Sequence, residues 1–115
     1  MAAHVLHIQS QVRQIAIELK HIKVQVCEAM QQSYDHAIHH SKLKIILQHY
    51  IVKSSEIIMS CTNLQQTILT SLHECGKKGD DMYKKVLDYK DYAANMVVEI
   101  ARKWKHINIP FFGDS

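Results

Sequence analysis

The sequence predicts an all-α fold, an antiparallel up-down-up three-helix bundle. Three observations predict it. The chain of 115 residues has three glycines and one proline, and all four follow Cys75. Apolar residues recur three and four apart over long stretches, the rhythm of one helix face. Strands would need turn signals every 8–12 residues or so, and the first 75 residues offer none.

The first segment reads Val5, Ile8, Val12, Ile15, Leu19, Ile22, Val26, Ala29. That alternation predicts one long amphipathic helix whose seam faces other helices. It weakens at Ser33-Tyr34-Asp35-His36, so the helix is placed at about 3–38. A kink near residues 31–41 would give four helices instead of three. Ser41 is the expected N-cap of the second helix.

The second segment reads Leu43, Leu47, Tyr50, Ser54, Ile57, Cys61, Leu64, Ile68, Ser71, Cys75. It spans 42–75. Gly76 suits the left-handed position after a helix, and Asp80 is the expected cap of the next. The third helix, 80–107, carries Val86, Tyr89, Ala93, Met96, Ile100. A flanking row follows it: Leu87, Ala94, Val97, Ala101, Trp104. Pro110 stops it, which makes 1–109 one helical domain and 110–115 a short tail. The lengths resemble those of spectrin-like and syntaxin-N-terminal-like bundles, without a motif specific to either.

The balance of 14 Lys plus Arg against 11 Asp plus Glu is too mild to imply nucleic acid. No window approaches the ~20 apolar residues of a membrane span. Cys27, Cys61 and Cys75 are scattered and form no CxxC, which fits a cytoplasmic or other reducing intracellular setting.

The first two helices carry more apolar residues than one core needs. Ile17, Val24 and Ile38 fall opposite the first seam, and Ile51 and Ile58 lie beyond the second. Between Lys53 and Gly76 the only charges are Glu56 and Glu74. Helices apolar on more than one side are buried on more than one side. The expected function is therefore a non-enzymatic protein–protein interaction or scaffold module, acting as a homo-oligomer or as a subunit of a helical complex. Ile17, Val24, Ile38, Ile51 and Ile58 are its candidate contact residues. Phe111 and Phe112 in the tail join them, because aromatic pairs anchor partner grooves.

The alternative is a histidine-centred metal-binding or phosphotransfer bundle. On a continuous helix His36 and His40 stand one turn apart, and Asp35 and His39 form a second such pair. Two ligands make half a site, so no metal and no cofactor is expected. His39-His40-Ser41-Lys42 is similar to phosphotransfer-type bundles, where a lysine follows the exposed histidine by three residues. Leu43, Lys44, Ile45 and Ile46 are bulky where a receiver domain needs small residues. Glu18-Leu19-Lys20-His21 matches one Glu-x-x-His element of di-iron bundles, which need two. His73-Glu74-Cys75 separates a thiol and an imidazole by two positions, which do not face each other on a helix.

Overall fold

A computed structural model describes residues 3–107. The chain forms α1 (Ala3–Tyr34), α2 (His40–Thr70), α3 (Leu72–Cys75) and α4 (Lys77–Lys105). The three long helices run up, down and up, as the apolar rhythm predicts. At 1.5 Å per residue they are about 43–48 Å long. The result is a rod, with extents of 64 × 22 × 16 Å. Its radius of gyration is 18.2 Å, against ~13 Å for a compact domain of this length.

All eight seam residues of α1, from Val5 to Ala29, are buried. From α2 the core takes Leu43, Leu47, Ser54, Ile57, Cys61, Leu64 and Ile68, and from α4 it takes Met82, Val86, Ala93 and Ile100. Tyr50, Tyr89 and Met96 pack against that core while half-buried. α2 and α4 make the most extensive contact, and α1 packs more on α2 than on α4.

The helix ends differ from expectation in four places, each for a physical reason. α1 stops at Tyr34, four residues early, because His36 takes a left-handed conformation at φ 61°. The Ala37 amide donates to the Gln32 carbonyl (2.7 Å) and the His36 amide to that of Ser33 (3.1 Å). This is a Schellman closure with histidine where glycine is usual. The break near residues 31–41 is thus the full chain reversal of the antiparallel bundle, and no extra helix arises there.

α2 is capped by His39, not Ser41: the Ser41 amide donates to the His39 Nδ1 at 3.2 Å. α2 ends at Thr70, and Ser71 separates it from the single turn of α3. This short α3 is what makes the helix count four. Gly76 adopts φ 57°, as expected of it, but α4 begins at once at Lys77, so Asp80 lies inside the helix. Gly79 is a packing residue. A Cβ there would sit 2.8 Å from the Cβ of Cys75 and 3.3 Å from Leu72 Cδ2.

Among the described residues, no helix is long and apolar enough to cross a membrane.

Candidate functional site

The candidate contact residues divide between two settings. Ile17 is 61% exposed and Val24 43% exposed on the outer face of α1. Ile38, in the reversal after α1, and Ile51 and Ile58 on α2 are half-buried against the core. Ile17 and Val24 therefore do not share a surface with Ile51 and Ile58. Phe111 and Phe112 lie outside the described residues.

The rod offers three long faces. The α1–α2 cleft is mixed in character. Glu18, His21, His49, Tyr50, Lys53 and Glu56 line its cavity of about 570 Å³ together with the apolar Ile17, Ile22 and Ile57. Tyr50 meets His49 edge-on at 4.9 Å between ring centroids and His21 at 6.5 Å. Lys53 and Glu56 approach to 3.9 Å, both more than half exposed, a contact worth well under 1 kcal/mol. The α1–α4 side carries charges of both signs: Arg13, Lys78, Asp81 and Lys85 line one cavity, and Lys23, Glu99 and Lys103 rim another whose wall is apolar, with Val26, Cys27, Tyr92, Met96 and Ile100.

The third face belongs to α2 and α4. Two contacts fix how these helices meet. Lys90 Nζ reaches Gln65 Oε1 at 3.4 Å, and Lys44 Nζ sits 4.1 Å from the centre of the Trp104 ring. These pairs show the helices antiparallel and mark the flanks that touch. One step further out on each helix runs a row with three- and four-residue spacing. On α2 it is Gln48, Val52, Ser55, Met59, Thr62, Gln66, Leu69; on α4 it is Lys84, Leu87, Asp91, Ala94, Val98, Ala101, Lys105. Ile45 lines a cavity between α1 and α2 with Gln25, Glu28 and Gln32.

Of these fourteen positions seven are apolar and three are charged, Lys84, Asp91 and Lys105, two of them at the ends of the α4 row. Met59 and Val98 are 67% and 56% exposed. Among the described residues twelve large apolar side chains are exposed, and five of them stand in these two rows. The sequence held this signal in Val52 and Met59, spaced by seven. Reading Leu87 and Ala94 as a flank of the core hid it; the structure turns both outward.

The cysteines split by burial. Cys27 is exposed, whereas Cys61 and Cys75 are buried. Burial pushes the Cys61 thiol above its usual range, against a smaller pull downward from Lys90.

The histidine-rich reversal does not have the geometry its spacing suggests. His36 lies in the turn, His39 caps α2 and His40 opens it, so the one-turn helical pairing of His36 with His40 is not made. Among the described residues no group of three His, Cys, Asp or Glu side chains is placed to hold a metal ion. Glu18 and His21 line the α1–α2 cleft while Leu19 holds the core.

No protein-family model, curated protein or solved structure matches the chain.

Proposed function

We propose that this chain is a non-enzymatic helical interaction module. It packs helices against its α2–α4 face in coiled-coil fashion, as a homo-oligomer or as a subunit of a helical complex. The reading fits a reducing intracellular compartment, where Cys27 stays an unpaired thiol. The observation that carries it is the α2–α4 face: fourteen positions, seven apolar and three charged, with Val52, Met59, Leu69, Leu87 and Val98 all exposed. Large exposed apolar side chains gathered on one face mark a contact surface. The pattern suits helices as partners, because rows with three- and four-residue spacing offer ridges and grooves to a facing helix.

The test compares the wild type with a Met59→Glu/Val98→Glu double variant, both purified and in an extract of the source cells. Chemical crosslinking followed by mass analysis should find the wild type in an assembly larger than 13.3 kDa. The double variant should leave that assembly while keeping its helical circular dichroism. A wild type that stays a 13.3 kDa monomer in both settings would overturn the reading.

A further inference from the structure

We propose that the apolar cavity between α1 and α4, rimmed by Lys23 and Lys103, binds the carboxylate form of a fatty acid. The site shares no residue with the α2–α4 rows and stands whatever covers them.

The wall comes first. Val26 and Ile100 are buried and Met96 is half-buried against the core, so they make an apolar floor. Cys27 from α1 and Tyr92 from α4 are exposed beside it. The cavity they enclose measures about 340 Å³. Ligand sites run from roughly 300 to 1,000 Å³, so this one holds a small molecule and not a helix. It follows α4 from Tyr92 to Lys103, which is about 16 Å at 1.5 Å per residue. Spread over that length, the volume makes a slot about one chain wide.

The rim supplies the charge. Lys23 stands on α1 and Lys103 on α4. Among the described residues neither ammonium has an ion-pair partner. Glu99 is the one carboxylate on this rim, and Arg102 Nη1 already meets it at 3.2 Å. Asn95 completes the rim with an uncharged amide. Lysine stems lie along apolar surface while their ammonium groups stay in water, which places both cations where a head group would emerge.

Together these features select an apolar chain with an anionic head. A neutral or cationic chain gains the wall and forgoes the rim. A small anion gains the rim and forgoes the wall. The companion cavity at Arg13, Lys78, Asp81 and Lys85 has the charges without the wall, since Val12 and Met82 are its only apolar members.

Calorimetric titration of the full chain with dodecanoate, kept below its micelle concentration, tests this. One site should saturate with a dissociation constant below about 1 mM. Dodecylamine has the same chain and the opposite charge, and should bind at least about tenfold more weakly. Cys27→Trp fills the slot and should abolish binding. Lys23→Glu/Lys103→Glu should weaken dodecanoate at least about tenfold. Arg13→Glu/Lys85→Glu makes the same change in net charge at the companion cavity and should leave the affinity as it is. Helical circular dichroism should match the wild type in all three, because the replaced side chains are exposed or half-buried. In the wild type, dodecanoate should also slow the reaction of Cys27 with a thiol reagent.

Any of four results would overturn the inference. These are no saturable binding by about 1 mM, dodecylamine binding as tightly as dodecanoate, binding that survives Cys27→Trp or the Lys23→Glu/Lys103→Glu pair, and an equal loss in Arg13→Glu/Lys85→Glu. Should a variant fail to fold, the wild-type thiol reaction decides: Cys27 left unprotected by dodecanoate removes the site.

Discussion

His4 Nε2 lies 2.9 Å from Ser71 Oγ, across 67 positions of sequence. The contact ties the first turn of α1 to the break between α2 and α3. Ser71 is buried, so its hydroxyl has little other access to water. Ser71→Ala should cost about 0.5–1.5 kcal/mol. A loss near 1 kcal/mol lowers the melting temperature of a domain this size by about 4–6 °C. His4→Ala should cost somewhat less, because His4 itself is exposed. Hydrogen exchange should quicken at the start of α1 in both, and a change confined to α4 would contradict the assignment.

Ser54 gives the opposite sign. Its side chain is fully buried in the core, and Oγ has no hydrogen-bond partner. An unsatisfied buried hydroxyl carries a desolvation penalty of about 1–3 kcal/mol. Ser54→Ala removes it for the loss of a single atom, so urea unfolding should show a gain of about 1 kcal/mol with an unchanged m-value. A destabilised Ser54→Ala would mean that the hydroxyl is satisfied in solution.

Gly79→Ala should destabilise, although alanine is the better helix former by about 1 kcal/mol. The added methyl would meet the Cys75 Cβ at 2.8 Å, closer than carbons approach. Forcing α3 and α4 apart costs about 1–3 kcal/mol, which outweighs the propensity gain. Thermal melts decide this one, and an unchanged or raised melting temperature would count against the tight α3–α4 contact.

Cys61 predicts a pH dependence. Burial raises its thiol above 9.0 in the folded chain, so the native state holds that proton more tightly than the unfolded state. Its contribution is complete below the unfolded value near 9 and is lost as pH rises through the raised folded value. Melting temperatures measured from pH 8 to 10.5 or so should therefore fall more steeply for the wild type than for Cys61→Ala. At pH 8 or so a thiol reagent should label Cys27 in the native protein, and Cys61 and Cys75 after unfolding.

The body of each helix was legible because the evidence for it is repeated. Eight α1 positions obey one spacing, and a wrong assignment would have to break all of them. Helix ends rest on single residues, and there the local signals competed. His36 took the left-handed role that chemistry gives to glycine. Gly79 read as a breaker when it makes room for Cys75. Ser71 broke a helix that its spacing continued. The site was half legible for a related reason. Surplus apolar residues on α2 are plain in the sequence, but which flank of α2 receives α4 depends on the hand of the bundle. That hand covers Ile51 and Ile58 and leaves Ile45, Val52 and Met59 bare.

The short connection between α2 and α4 sets how the chain folds. Six residues, Ser71 to Gly76, separate the two helices that share the largest contact. Closing so small a loop has little entropic cost, and the large contact it brings together should let this hairpin assemble before α1 packs on it. Low contact order of this kind places folding in the microsecond-to-millisecond range. α1 is joined to α2 by only five residues but packs less extensively, so it is expected to dock last and detach first. Mutations in its seam should speed unfolding and leave the folding rate nearly unchanged.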